Sequence, residues 1–440
     1  MMQIPREAEA VVNALAQDGH AAYLVGGCVR DMLLGAAPND WDVTTSATPD
    51  MVRRVFEGHR IIETGAKHGT ITVKSGDMLI EVTTFRADGA YSDNRRPDSV
   101  SFVRDVEDDL VRRDFTINAM ACGLSGEIID VSGGLRDLAD GLIRCVGRPE
   151  TRFGEDALRI VRAMRFASRL GFRIEPDTSK AMARCRALLR SVASERLSAE
   201  LGGLIMGKGA ADVLRENAPV AEMVIPEITD MIGFEQHNRY HDKTVWEHTL
   251  AALDAAPLDL DVRLAILLHD IAKPRCYTNV NGIGRFHGHP ARGAAMAGEI
   301  LCRLRFSGAR VRAVTQLVYH HDDRLRADEA ALKRWLGALG EAQLRRLIAV
   351  QFADARGHSP YGRDDRLREL GRVQETVCKL AALKPCVTVK GLAVNGRDLI
   401  RAGMKQGPAI GDALQKLLGL VIDGAVQNER GELLGRLGLE

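Results

Sequence analysis

Hydrophobic periodicity changes once along this 440-residue chain, near residue 150, and that change limits the folds open to it. Before the change, short β-rich runs ("AAYLVGG", "WDVTTS", "GTITVKS", "MLIEVTTF") alternate with helical pieces. One of these opens at "SATPD", where Ser46 or Thr48 can cap and Pro49 suits a first turn. After the change the strand signal vanishes. Ala, Leu, Arg and Glu recur at helical spacing between turn signals such as "EPD", "NGIG" and "LKP". The expectation is an α+β molecule: a head with a small mixed sheet over residues 1–150, then all-α segments over 151–225, 226–360 and 361–440. Sixty basic residues against 59 acidic ones exclude a global field for a polyanionic partner, so local charge has to be read instead. The eight cysteines are isolated singles without CxxC spacing, which suits reduced, mostly buried thiols. No apolar run is long enough for a signal or membrane segment, and a cytoplasmic protein with no membrane partner is expected.

The stretch "LVGGCVRDMLLGAAPNDWDVTT", residues 24–45, joins two glycines to two alternate aspartates. Asp40 and Asp42, two apart in a strand-forming segment, leave the same face. Like charges that close favour a cation between them, and hard oxygen ligands suit Mg²⁺ with substrate phosphate oxygens in its remaining positions. Gly26 and Gly27 let a triphosphate approach backbone N–H groups at the start of the next helix, with Arg30 within reach. A third carboxylate is expected at Glu81, a charge inside the otherwise apolar "MLIEVTTF". In "VRRDFTINAM", Arg112, Arg113, Asp114 and Asn118 offer cations for phosphate and polar groups for a ribose.

These motifs, with "IDVSGGLRDLADGLIRCVG" and "EDALRIVRAMRFA", resemble in order and spacing the class II tRNA nucleotidyltransferases, the CCA-adding enzymes that share a superfamily with DNA polymerase β. The resemblance covers the whole chain and is most specific over 20–205. It implies a polymerase-β-like nucleotidyltransferase head, a helical neck that selects the nucleotide, and a body and tail that hold the tRNA acceptor arm. CTP and ATP would be the substrates, and no nucleic-acid template would be used. In the neck motif, Asp156 and Arg159 are expected on one helix face, with Arg162 and Arg165 continuing the row. A carboxylate only accepts hydrogen bonds and a guanidinium only donates, so the pair could read the amino group that C and A both carry. Residues 151–216 hold 13 basic and 8 acidic residues, a stripe suited to an RNA backbone. Bacterial poly(A) polymerases are the nearest alternative, but "IIETGAKHGTITV" is similar to the CCA-adding form. "RADGAYSDNRRPDSVSFVRD" resembles the intact flexible loop of enzymes that add the final A.

A second constellation lies at 237–358, where nine of the twelve histidines fall. His248, His269, Asp270 and Asp354 resemble the metal site of HD phosphohydrolases. Imidazole with carboxylate favours a borderline divalent ion, Ni²⁺, Mn²⁺ or Zn²⁺. His287, His289, His320 and His321 are candidates for a second metal position, and Lys273 for the scissile phosphate. A further alternative is an HD phosphohydrolase whose head only binds nucleotide. The tail from residue 394 onward is expected to be an RNA-binding or packing module.

Overall fold

The computed structural model describes residues 4–89 and 100–439, which divide into two compact units at residues 226/227. The "flexible loop" segment therefore falls partly outside the described residues, at 90–99.

In the first unit nine strands are formed before residue 131: β1 (Ala22–Val25), β2 (Trp41–Thr45), β3 (Ile61–Ile62), β4 (Thr70–Ser75), β5 (Met78–Thr84), β6 (Arg86–Asp88), β7 (Val100–Phe102), β8 (Met120–Cys122) and β9 (Ile128–Asp130). Seven of them make one mixed sheet in the order β3-β4-β5-β2-β1-β8-β9, and β6 with β7 forms a separate ribbon. The β2–β5 pair is parallel, with Asp42 opposite Glu81, while β4 and β5 form an antiparallel hairpin. Alternation sets the faces: Ile80, Val82 and Thr84 are buried, and Glu81 points the other way. The opening helix, Arg6–Gln17, buries Ala8, Val11, Val12 and Leu15, the spacing of one helical stripe, and packs on β1 and β4. Pro49 does open a helix, Pro49–Val55, but neither expected residue caps it. Thr48 makes no capping bond, and the Ser46 hydroxyl accepts from the Ala21 N–H instead.

Beyond residue 150 the structure is helical with two exceptions that the sequence reading missed. Arg173–Ile174 pairs in parallel with Leu142–Ile143, and Thr278–Val280 forms a hairpin with Ile283–Arg285. Both pieces are too short for their alternation to be read. In the second unit the helix Leu260–Leu268 is buried from Asp261 through Leu268, so it runs through the middle of the unit. Helices Val245–Ala255, Gly308–His320 and Glu341–Gly357 pack around it. Asp259 caps the central helix, Thr244 the first neighbour and Ser307 the second. The tail builds its own core from Leu392, Val394, Leu399, Leu417, Ile422 and Leu433 among others.

Candidate functional site

The sheet and the helix after β1 bring the first group of predicted residues together. Gly26, at φ +79° and ψ −129°, turns β1 into the helix Gly27–Leu33. A Cβ there would stand 3.1 Å from Arg113 Nη1 and 3.8 Å from Asp42 Oδ2, so both the backbone and its neighbours require glycine. A cleft of about 290 Å³ is lined by Gly26, Gly27, Arg30, Asp40, Asp42, Arg113, Asp114, Asn118, Arg162 and Arg165. Asp156 and Arg159 lie outside its lining.

Asp42 is half-buried and its carboxyl is pushed up to about 6, by burial first and then by the charges of Glu81 and Asp40, against the pull of Arg113. The charges of Glu81 and Asp40 thus bear on Asp42, with Arg113 opposing them. Hard oxygen donors held this way fit a magnesium ion, which relieves that repulsion. Glu81 is exposed on the open face of β5, not embedded in apolar surroundings as the sequence suggested. Strand alternation, rather than burial, is what turns it toward Asp42.

The cations around the cleft are held in place. Arg30 donates to Asn118 Oδ1 at 2.7 Å and pairs with Asp31, also at 2.7 Å. Arg113 pairs with the fully buried Asp109 at 3.1 Å. Asp114 accepts from Arg162 at 2.7 Å and from the Phe115 N–H. Burial opposes its charge, but Arg162 and Arg159 outweigh that and hold its carboxyl down to about 2. Arg165 pairs with Glu200 and lies over the Phe166 ring.

The expected row from Asp156 to Arg165 is corrected at its start. The helix begins at Leu158, and Asp156 is extended (φ −140°, ψ 103°) in the break after Pro149–Glu155. Its carboxylate accepts from the Leu158 N–H at 3.1 Å and takes both Nη atoms of Arg196, at 3.2 and 2.7 Å. Arg159 pairs with Glu155 at 2.6 Å and donates to the carbonyl of Arg112. Asp156 and Arg159 are therefore not paired with each other. Arg159, Arg162 and Arg165 do follow one another along the helix Leu158–Leu170.

In the second unit, His248, His269, Asp270 and Asp354 come together from two helices and the end of a third. His248 Nε2 is 2.9 Å from Asp354 Oδ1 and 3.3 Å from His269 Nε2, and His269 Nε2 is 3.2 Å from Asp270 Oδ2. Of the four candidates for a second position, two join. His289 Nε2 and His321 Nε2 are 3.2 Å apart, and lie 3.5 and 3.7 Å from Asp270 Oδ1. His287 is exposed and His320 pairs with Asp323 at 2.7 Å, so those two are not brought in. Lys273 Nζ stands 2.7 Å from Asp270 Oδ2 and donates to Gln236 Oε1 at 2.9 Å.

Imidazole orientation in this cluster is fixed by backbone. The Nδ1 atoms of His269, His289 and His321 each donate to a carbonyl three residues back, those of Ile266, Phe286 and Val318, at 2.7 to 2.8 Å. That leaves the Nε2 atoms of these three rings facing the carboxylate of Asp270. Gly357 makes room for His248, since a Cβ there would sit 2.9 Å from its Nδ1. Asp270 is fully buried, yet neither of its oxygens receives an aligned hydrogen bond. Two groups of ligand atoms, His248/His269/Asp354 and Asp270/His289/His321, each lie within 4.8 Å of one another. Mixed imidazole and carboxylate donors around a buried carboxylate whose nearest cation is Lys273 fit one or two borderline divalent ions.

Sequence reasoning missed His241 and His358. His358 Nε2 is 3.5 Å from Asp354 Oδ1, a helix turn away, and that i, i+4 spacing was a usable signal. His241 is held by Asn238 Oδ1 at 2.9 Å and by Lys273 Nζ at 3.3 Å, and burial with Lys273 drives it down to about 2. Its partners are too local and too mixed to be read in advance.

Three family models match the chain: "Poly A polymerase head domain" over 22–144, "Probable RNA and SrmB- binding site of polymerase A" over 171–230, and "tRNA nucleotidyltransferase domain 2 putative" over 294–436. The CCA-adding enzyme of Levilactobacillus brevis is 35% identical over 438 residues, covering 97% of this chain and 96% of that protein. The enzyme of the same name from Geobacillus stearothermophilus is 35% identical over 429 residues, covering 97% and 94%. Among solved structures, the Bacillus stearothermophilus CCA-adding enzyme in complex with CTP superposes with a TM-score of 0.75 at 31% identity, over 99% of this chain and 98% of that one. The Thermotoga maritima CCA-adding enzyme complexed with tRNA shares the fold, with a TM-score of 0.61 at 20% identity over 99% and 96%.

Proposed function

The chain belongs to the CCA-adding enzymes, and from that membership we propose that it completes the 3′ end of tRNA by adding C, C and A from CTP and ATP without a nucleic-acid template. The observation that carries the reading is the pair Asp40 and Asp42 in a cleft beside a glycine turn and fixed arginines, with Glu81 opposite Asp42 on the neighbouring strand. In each step the terminal 3′ oxygen of the tRNA bonds to the α-phosphorus, the bond to pyrophosphate breaks, and the hydroxyl proton is lost. Asp40 and Asp42, with Glu81 beside them, would hold Mg²⁺, which supplies Lewis acidity at the reacting oxygens. Gly26, whose own N–H is taken by the Met120 carbonyl, turns the chain so that Gly27 offers its backbone N–H to the triphosphate, and Arg30 and Arg113, already oriented by Asn118 and Asp109, offer charge without reorganising.

In this reading residues 1–150 are the head and 151–225 the neck. Asp156 accepts from the amino group that C and A share, and Arg159 donates to the ring edge. Arg196 and Glu155 act as mounts that fix the two side chains in position. The poly(A) polymerase alternative shares the models over 22–144 and 171–230, whereas relatives matching across nearly the whole chain are CCA-adding enzymes. No described helix is long and apolar enough to cross a membrane, and we place the protein in the cytoplasm. Incubation with a tRNA transcript lacking its CCA end, with CTP and ATP singly and together, followed by product sequencing, tests the proposal. CC from CTP alone and CCA from both are expected; no incorporation, or a run of A, would refute it.

Residues 226–360 support a second activity, a metal-dependent phosphohydrolase of the HD type, with 361–440 as a tail that packs or binds RNA. The favouring observation is the fully buried Asp270 among four Nε2 atoms. Ni²⁺ or Mn²⁺ held there would activate water. Lys273 holds Asp270 in place and offers charge to the scissile phosphate. Elemental analysis of the purified protein, and hydrolysis of small phosphoesters such as 2′,3′-cyclic nucleotides with either metal, test this reading.

A further inference from the structure

A cleft of about 1300 Å³ opens from the histidine–carboxylate cluster of the second unit, with His321 and Asp354 of that cluster in its lining. Drug-sized ligands occupy pockets of about 300–1000 Å³, so this cleft exceeds what one small phosphoester fills. Its other walls are chemically specific. Tyr240 and Tyr361 meet edge to face at 5.3 Å and are both about half exposed, at 44% and 50%. Arg239 lies 4.4 Å over the Tyr361 ring and 5.1 Å over that of Tyr240. Exposed rings carrying a cation at the edge of a groove are a stacking platform for a base.

Four of the five arginines in the lining, Arg326 aside, fall into two sets. Arg368 and Arg372 are tied to Asp365 and Glu369 on their own helix. Arg366 is not: it donates only to neutral oxygens, Leu325 O at 3.1 Å and Gln351 Oε1 at 2.7 Å. Gln351 in turn donates to the carbonyls of His320 and Asp323, which fixes Arg366 relative to the turn that carries His321. Burial, and then the charge of Arg324, push the Arg366 guanidinium down from its ordinary value. Arg324 itself lines the cleft, is exposed, and has no carboxylate partner within ion-pair distance among the described residues. Two neighbouring guanidiniums without a direct ion pair, one of them partly buried and facing the charges of Asp354, Glu369 and Asp322 only at longer range, favour an anion between them. Asp322 and Glu375 also line the cleft, so it is not uniformly basic. An anion is favoured at fixed points along it.

We propose that this cleft binds a single-stranded oligonucleotide, with the terminal phosphate at the histidine–carboxylate cluster, an internal phosphate between Arg324 and Arg366, and a base on Tyr240 and Tyr361. The inference deepens the phosphohydrolase reading and rests on it. The reaction is hydrolysis: the oxygen of water bonds to phosphorus, the phosphorus–oxygen ester bond breaks, and the leaving oxygen takes the proton.

The experiment uses the full chain loaded with Mn²⁺ and compares p-nitrophenyl phosphate with trinucleotides phosphorylated at the 5′ or the 3′ end. Turnover of p-nitrophenyl phosphate that is lost in His269→Ala establishes the cluster as a hydrolytic centre, and no turnover of any ester overturns that reading and this one together. Given turnover, one of the trinucleotides should show a kcat/KM at least about tenfold higher, and Arg324→Ala should raise its KM about tenfold, the worth of one charge-assisted contact. The effect on p-nitrophenyl phosphate should be several times smaller. Arg324 is exposed, so this variant folds even if Arg366→Ala does not. A readout independent of turnover is photo-crosslinking of a 4-thiouridine trinucleotide to metal-free protein, mapped by mass spectrometry, with adducts expected at Tyr240 or Tyr361. Equal kcat/KM for all esters, or crosslinks confined to residues 1–226, would overturn the oligonucleotide assignment while leaving the hydrolytic centre standing.

Discussion

Replacing Gly26 with alanine perturbs the head at one atom, and the structure sets the size of the effect. At φ +79° and ψ −129° an alanine is strained, at a cost of order 1–3 kcal/mol. The new Cβ would also lie 3.1 Å from Arg113 Nη1, so that guanidinium must give by a few tenths of an ångström. It has little freedom to do so, because its partner Asp109 is fully buried and also bound by Arg112 and by the Thr44 hydroxyl. A penalty of about 2 kcal/mol lowers the melting temperature of a unit of this size by roughly 4–8 °C. Displacing a phosphate-facing cation by a fraction of an ångström should slow single-turnover incorporation of C by about tenfold or more, with tRNA affinity nearly unchanged. Gly35→Ala is the control. Gly35 also has positive φ, +70°, but nothing stands within 4 Å of its Cβ. That variant should lose some stability and keep its incorporation rate. If Gly26→Ala melted within about 1 °C of wild type and incorporated C at the same rate, both the strain and the placement of Arg113 would be wrong.

Asp156→Ala and Arg159→Ala should each lose discrimination against UTP and GTP, measured as relative incorporation into a tRNA ending in CC. Unchanged preference in both would mean that their pairs with Arg196 and Glu155 are only structural. His269→Ala should lose phosphoester hydrolysis and still build CCA, whereas Asp42→Ala should do the reverse; assaying both activities in both variants checks that the two centres are independent. Asp114→Asn should destabilise the protein at neutral pH by about 2 kcal/mol, because the carboxyl is held at about 2 against an ordinary 3.8. A depressed carboxyl stabilises above its unfolded value and loses that contribution as pH falls through its folded one. The stability gap from wild type, followed by denaturant titration, should therefore close between pH about 4 and about 2.

Local patterns were legible where one strand or one turn decides the chemistry. The alternate aspartates and the glycine pair depend on short spacing, whereas His248, His269, Asp270 and Asp354, spread over 106 residues, were legible through their order in a family resemblance; each set is drawn together in the fold. Failures came where a distant partner decides. Asp156 reads as helical until Arg196, forty residues on, and the Leu158 N–H claim its carboxylate and stop the helix short. Glu81 reads as a buried charge, but alternation along β5 puts it on the open face, and only the register with β2 sets it opposite Asp42. His287 and His289 are indistinguishable in "RFHGHP", yet only His289 starts a helix aimed at Asp270. The cleft lined by Tyr240, Arg324 and Arg366 joins segments over a hundred residues apart, and nothing in the local pattern announces it.

The register that sets Asp42 opposite Glu81 also decides which genetic accidents the head can survive. One inserted codon just before Glu81 would face a dilemma: keep Ile80 and Val82 in the core, and the acid shifts to the wrong side; keep the acid, and the apolar side chains go to water. Two inserted codons restore both at once. Along β5, then, the chemistry is guarded by parity, and the hydrophobic core serves as its error check.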